Sequence, residues 1–315
     1  MLPDLKDIQD AHDRIRSLIH RTPVMSSQQI NELLGAEIYF KCENFQKAGA
    51  FKFRGAVNSL LCLTKEEAAN GVGTHSSGNH AGALAKAAGL LGISAHIVMP
   101  ENSREVKKKA VAGYGADIHY CKPTLEAREE TMEWLAKESG CTFIHPYDRF
   151  EIIAGQGTAA VELLEDYPDL DIIMAPVGGG GLLSGTAIGS KGIKPDIHVW
   201  AGEPSGANDA WKSFRTGELV PSVEPQTIAD GLLTSLSELT FRAIKQNVDE
   251  ILLCDESNII HAMRLIWERI KIIVEPSSAV PLGALMQNQQ KWKGRKIGII
   301  LSGGNVDLGD LPFNV

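Results

Sequence analysis

Short apolar runs alternate along this chain with longer stretches in which apolar residues recur at helical spacing. The runs Ile38–Cys42, Val72–His75, Ala95–Met99, Asp117–Tyr120, Thr142–His145, Ile172–Val177, His198–Gly202, Ile251–Cys254 and Ile297–Leu301 read as strands. A first helix covers Ile8 to Ile19 and stops at Arg21-Thr22-Pro23. A second opens at Lys52 and runs to about Asn70. Further helical spacing covers Asn79–Leu91, Ser103–Ala112, Leu125–Glu138, Gly157–Glu165, Ser257–Ile270 and Ser278–Gln289. Such alternation, with strands as continuously apolar as Ile172–Val177, predicts an α/β fold with mainly parallel sheets. These strands are many for one sheet, so the expectation is two open, twisted α/β lobes with a cleft between them.

Three strands are followed by polar or glycine-rich turns: Ser76-Ser77-Gly78-Asn79-His80, Gly178-Gly179-Gly180-Gly181 and Ser302-Gly303-Gly304-Asn305. Ligands of open parallel sheets lie beyond the carboxyl ends of the strands, so the three turns are expected at one cleft. Gly178–Gly181 opens a helix at Leu182 and offers backbone N–H groups with no Cβ in the way, which suits a phosphate. It is not GxGxxG, and no Lys-Ser/Thr pair follows, so a nucleotide-dependent oxidoreductase is only a remote alternative. Lys52 stands between Phe51 and Phe53. Buried there, its amine would lose proton affinity and become available for a Schiff base. Read locally, it also fits an exposed lysine on a first helical turn. Glu203 and Asp209 in one strand-end loop suit a hard cation, or a solvated acidic loop. No GxSxG or HExxH is present.

Composition narrows the partners. The chain has 315 residues, 43% hydrophobic and 22% charged, with a formal net charge of -8 and its charges interspersed. That argues against nucleic acid or an anionic membrane as the main partner. No apolar run reaches the roughly 18 residues of a membrane span, and no apolar leader follows Met1. Five cysteines without a CxxC pair read as reduced thiols, so a cytoplasmic protein is expected.

Taken in order, Lys41-Cys42-Glu43-Asn44-Phe45-Gln46-Lys47, Gly49-Ala50-Phe51-Lys52-Phe53-Arg54-Gly55-Ala56, Ser76–His80, Ala154-Gly155-Gln156-Gly157-Thr158, Gly178–Gly181 and Ser302–Asp307 resemble the fold-type II pyridoxal-phosphate enzymes. The likeness is to the serine racemase, serine/threonine dehydratase and 3-hydroxyaspartate ammonia-lyase group, and it covers nearly the whole chain. It implies the tryptophan synthase β-like fold with the cofactor in the cleft. A large domain would hold 1–71 and 148–315, and a small mobile domain 72–147.

The resemblance also implies roles. Lys52 would carry the cofactor and act as base, with Phe51 packed on the ring, Asn79 on the ring hydroxyl and Ser302 at the pyridine nitrogen. Gly178, Gly179, Gly180, Gly181 and Leu182 would hold the phosphate. Ser77 would be a second acid/base, as in the racemases. Ser76, Ser77, Asn79 and His80 would hold the substrate carboxylate, Arg128 a second carboxylate, and Thr234 would line the substrate side. Glu203, the Ala207 carbonyl and Asp209 would bind Mg²⁺, with Mn²⁺ or Ca²⁺ as alternatives. Lys271 and Asn305 match part of the family's nucleotide-activator site, while Ser27-Gln28 departs from it. The implied activity is water elimination from a β-hydroxy amino acid, best 3-hydroxyaspartate, with serine racemisation as the alternative, in a homodimer.

Overall fold

The computed structural model describes residues 1–103, 105–288 and 292–314. Arg104 of the expected helix Ser103–Ala112 and Gln289, the expected end of the last helix, lie outside them. The strands are β1 (Val24–Met25), β2 (Glu37–Cys42), β3 (Val72–His75), β4 (Ala95–Pro100), β5 (Asp117–Cys121), β6 (Thr142–Phe143), β7 (Ile172–Pro176), β8 (His198–Pro204), β9 (Glu250–Cys254) and β10 (Lys296–Leu301). The helices are α1 (Leu5–Ile15), α2 (Gln28–Leu34), α3 (Lys52–Leu61), α4 (Lys65–Asn70), α5 (Asn79–Leu91), α6 (Glu105–Gly113), α7 (Leu125–Ser139), α8 (Phe150–Asp166), α9 (Gly181–Ile193), α10 (Asp209–Thr216), α11 (Glu238–Asn247), α12 (Glu256–Ile270) and α13 (Pro276–Gln287).

Two sheets form, as the number of strands required. One has the order β1-β2-β10-β7-β8-β9, the other β5-β4-β3-β6. Every pairing is parallel except β1 with β2. Strands such as β7, buried at every position, explain why their sequences are apolar throughout: helices cover both faces. The four-stranded sheet is drawn from residues 72–143 alone, and the six-stranded sheet from the chain on either side.

Several expected bounds needed correction. The first helix is Leu5–Ile15 rather than Ile8 to Ile19, and the strand from Thr142 stops at Phe143 rather than His145. The helix from Lys52 ends at Leu61, because Thr64 starts a new one. Its hydroxyl accepts from the Glu67 N–H, and the Glu67 carboxylate accepts from the Thr64 N–H at 2.8 Å. The expected helix Gly157–Glu165 begins earlier, at Phe150, so Gly155 and Gly157 lie inside it. There the missing side chains permit close helix contact instead of ending the helix. β1 and the short helix α2 carried too little periodicity to be read.

Candidate active site

Lys52 is the first residue of α3, preceded by a turn from Lys47 to Ala50 in which Ala48 has φ 58°. That turn is pinned from the other end of the chain. The Phe51 N–H donates to the Ser302 carbonyl at 2.9 Å, and Ala50 forms an isolated bridge with Gly303. The ends of β2 and β10 therefore bring Lys52 and Ser302 together. The Lys52 Nζ donates to the Pro146 carbonyl at 2.8 Å and lies 5.2 Å from the Phe51 ring centroid. Burial lowers its pKa from 10.5 to about 8. Lys52 is half-buried, with its amine turned inward onto the Pro146 carbonyl.

Ser302 is buried, with its hydroxyl 3.1 Å from that of Ser278, which also donates to the Gly303 carbonyl at 2.6 Å and accepts from the Gly303 N–H at 2.7 Å. Between β7 and α9 the glycine turn is buried, and Gly180 has φ +85°, a conformation that favours glycine. The N–H groups of Gly181, Leu182 and Leu183 have no intrahelical acceptor at the start of α9. The Tyr147 ring lies over this turn. A methyl group on Gly179 would overlap that ring, and one on Gly181 would lie 2.9 Å from the Tyr147 Cβ. Side chains here would collide with Tyr147, Leu232 and Thr240, so the turn has to be glycine, and the unpartnered N–H groups that open α9 form a cradle that suits a phosphate.

The Ser76–His80 turn reaches the same cleft from the four-stranded sheet. Asn79 donates to Glu275 at 2.7 Å and accepts from the Asn305 amide at 2.9 Å; that amide also donates to the Ala48 carbonyl. Burial pushes the Glu275 carboxyl up to about 8. The Ser76 hydroxyl accepts from the Gly78 N–H at 3.3 Å, and Ser77 is half-buried beside it. The His80 side chain is engaged elsewhere. Its ring is buried and bonds the Ile144 carbonyl at 3.1 Å, and its pKa is driven to about 3 by burial and by Lys52. What His80 offers a ligand is its N–H at the helix start.

Other expected residues fall at the margin or elsewhere. Arg128 is half-buried on α7 and donates to the Thr124 carbonyl at 3.3 Å. It is near enough to His75 to add to the lowering of that imidazole's pKa, which is mainly due to burial. His75 stacks on Phe143 and meets His145 edge-on, and His145 meets Tyr147. Arg128 therefore borders the aromatic wall that ends at Tyr147. Thr234 is exposed and hydrogen-bonded to Tyr147. Tyr147, Glu275 and Ser278 had no role assigned from sequence. Only their neighbours in His145-Pro146-Tyr147 and Glu275-Pro276-Ser277-Ser278 could have pointed to them.

Glu203 and Asp209 sit apart, at the end of β8 and the start of α10. Both Glu203 oxygens accept backbone N–H groups, from Ala210 at 2.8 Å and Trp211 at 2.7 Å. Burial raises Glu203 to about 8 and Asp209 to about 6, and the Asp209 Oδ2 is buried with no hydrogen-bond partner among the described residues. Those residues hold no group of three acidic, imidazole or thiol side chains placed for a metal. A cation here would draw on two carboxylates, the Ala207 carbonyl and water, a donor set that fits Mg²⁺ or Ca²⁺. A separate cavity of about 510 Å³ is lined by Asn79, Tyr114, Met263 and Asn305, among others, but by neither Lys52 nor the glycine turn.

No described helix is long and apolar enough to cross a membrane. The chain is 51% identical over 311 residues to a serine racemase of Dictyostelium discoideum, covering 98% of this chain and 96% of that protein. It is 46% identical over 313 residues to a β-hydroxyaspartate dehydratase of Paracoccus denitrificans, covering 99% of each. A maize serine racemase structure matches with TM-score 0.96 and 44% identity, over 98% of this chain and 95% of that one. Residues 15–303 match the family described as pyridoxal-phosphate dependent enzyme. Lys52 with a depressed pKa, the glycine cradle and the two-sheet cleft agree with that match, and the chain belongs to the pyridoxal-phosphate dependent enzymes.

Proposed function

We propose that this enzyme is a dehydratase that removes water from a β-hydroxy amino acid, with 3-hydroxyaspartate as substrate, releasing ammonia and an oxo acid. Pyridoxal phosphate supplies the electron sink that makes the α proton of an amino acid removable. The protein does the rest. The glycine turn and the N-terminus of α9 would hold the cofactor phosphate, and Phe51 would pack against the ring. Asn79 would serve the ring hydroxyl, and Ser302, held by Ser278, the pyridine nitrogen. A hydroxyl there does not keep that nitrogen protonated, which favours elimination over transamination. Lys52, with its amine near pKa 8, takes the α proton as base. The Ser76–His80 turn holds the α-carboxylate by hydroxyl and N–H groups.

The observation that carries the substrate is Arg128, half-buried beside His75 at the end of β3. Its planar guanidinium suits a second carboxylate. Serine racemisation is the second reading. It is favoured by Ser77 in the Ser76–His80 turn, where a hydroxyl could exchange a proton on the face opposite Lys52. The reading includes a divalent cation on Glu203, Asp209 and the Ala207 carbonyl, supported by the unpartnered Asp209 Oδ2. It also includes motion of residues 72–147 as a unit, with the Lys107–Asp230 ion pair (2.6 Å) bridging from α6 to the turn Asp230–Leu232. A cytoplasmic homodimer completes it, in keeping with five unpaired cysteines.

The test uses two substitutions. Lys52→Ala should abolish the visible absorption of the bound cofactor. Arg128→Ala should lower kcat/KM roughly 100-fold on 3-hydroxyaspartate and by less than about threefold on serine, the scale of a lost charged hydrogen-bond pair. Equal losses on both substrates would remove the case for a dicarboxylate.

A further inference from the structure

The segment Ala154–Thr158 stands out in the sequence, yet it touches neither the Lys52 amine nor the glycine turn. It lies in α8, which packs between α3 and α9. A methyl group on Gly155 would lie 2.6 Å from the Gly55 Cα and 2.9 Å from the Arg54 carbonyl, and one on Gly157 would lie 2.8 Å from the Gly185 carbonyl. The backbones of α3 and α9 thus rest directly on α8. Lys52 begins α3 and the glycine turn leads into α9, so one helix thickness sets the span between amine and cradle.

Smooth glycine faces fix that span but not the register along it. The start of α3 has no side-chain cap of its own. What ties it is Arg54, two residues beyond Lys52 in the first turn of the same helix and fully buried. Its Nε and Nη2 donate to the two Glu43 oxygens at 2.7 and 2.8 Å, just ahead of the Lys47–Ala50 turn. Its Nη1 and Nη2 donate to the two Glu162 oxygens at 2.9 and 2.8 Å on α8. Nη1 also reaches the Thr158 hydroxyl at 3.1 Å, which in turn donates to the Gly155 carbonyl at 2.7 Å, at the contact between the helices. Lys41 closes the set, 2.7 Å from Glu162. Two cations and two carboxylates buried together add little net stability over apolar residues of the same shape. Their forked geometry does fix one register, because a planar guanidinium bound to two carboxylates admits little sliding.

We propose that Arg54, with Glu162 and Thr158, is a positioning residue that sets Lys52 against the glycine turn by fixing the register of α3 on α8. The inference rests on reading Lys52 and that turn as the cofactor site. The titratable groups that face the lysine are His80 and His145, both held neutral by burial.

The holoenzyme carrying Arg54→Lys tests it, since lysine keeps the charge and loses the fork. The expected outcome is a kcat lower by roughly 100-fold with KM changed less than about threefold, as for a misplaced reacting group. In parallel, the pH midpoint of the visible cofactor band should rise by about one unit, because water reaching a cationic nitrogen favours its charged form. A lowered melting temperature with kcat and band midpoint both unchanged would overturn the proposal and leave Arg54 a purely structural residue. Should Arg54→Lys yield no folded holoenzyme, Thr158→Val decides. It removes only the hydroxyl link, and about a tenfold loss of kcat with the same upward shift is expected; parental values overturn the proposal. A holoenzyme that shows the band but turns over no hydroxy amino acid sinks the proposed activity, while the band midpoint still decides this inference.

Discussion

Two buried acidic regions of this molecule differ in one respect. Around Arg54, Glu43 and Glu162 share their burial with Lys41 and Arg54. Burial pushes the Glu162 carboxyl up, but Arg54 and Lys41 together hold it below its ordinary value. Near α10, Glu203 and Asp209 are similarly buried, and burial raises both; backbone N–H groups, a hydroxyl and the more distant Lys212 charge oppose it only in part, and no cation pairs with either carboxylate among the described residues. Matched charge makes a fixed strut, whereas unmatched charge makes a site that takes up protons or a cation.

The largest expected effect is on the matched side. Glu43→Gln leaves Arg54 partly uncompensated in the interior and should cost about 3–5 kcal/mol in denaturant unfolding. A loss below about 1 kcal/mol would mean that the quartet is not a strut. Next comes the unmatched side. With Mg²⁺ at 100 times its dissociation constant the parent should gain about 2.7 kcal/mol, and Asp209→Asn should lose that gain. An undiminished gain would place the cation elsewhere.

The sign of the pH dependence separates the two regions further. In metal-free buffer, folded Glu203 and Asp209 retain protons that the unfolded chain has released. Their contribution to stability therefore falls as pH rises from the ordinary carboxylate range through about 6 for Asp209 and about 8 for Glu203. Mg²⁺ needs the ionised forms, so its stabilisation should grow over the same interval. For Glu162 the sign is opposite: its contribution is present above the ordinary carboxylate range and is lost as pH falls through its lowered pKa. Melting curves at pH 6 and 8.5, with and without Mg²⁺, read the Glu203–Asp209 side, and curves carried down below about pH 4 read the Glu162 side. The smallest effect belongs to Lys6→Ala, which breaks an exposed i,i+4 pair with Asp10 and should leave the melting temperature unchanged.

Most of the fold was legible because buried parallel strands are apolar throughout; Val72–His75 and Asn79–Leu91 were read to the residue. The cleft's composition was legible at the carboxyl ends of the strands, since glycine and serine turns there are local patterns. Arg54 and Glu162 were not legible as partners. They are 108 residues apart, and a charged residue is read as exposed unless its partner is known. The orientation of His80 was not legible for a related reason: the sequence places its backbone at the turn but does not say that its ring bonds the Ile144 carbonyl. Gly155 was read as outside a helix and Gly157 as the start of one, because the helices they face are not visible from their own segment.

The strand order also bears on synthesis. β10, the last strand in the chain, lies between β2 and β7. A chain emerging in order makes both neighbours long before the strand that joins them. Until Leu301 is available, β2 and β7 each present an open edge toward the other, and open edges invite pairing with foreign strands. Ser302, the residue immediately after that strand, holds the N–H of Phe51 beside Lys52. The closing of the sheet and the placing of the lysine are therefore one late event. A nascent chain has no use for pyridoxal phosphate until that final strand has slotted in.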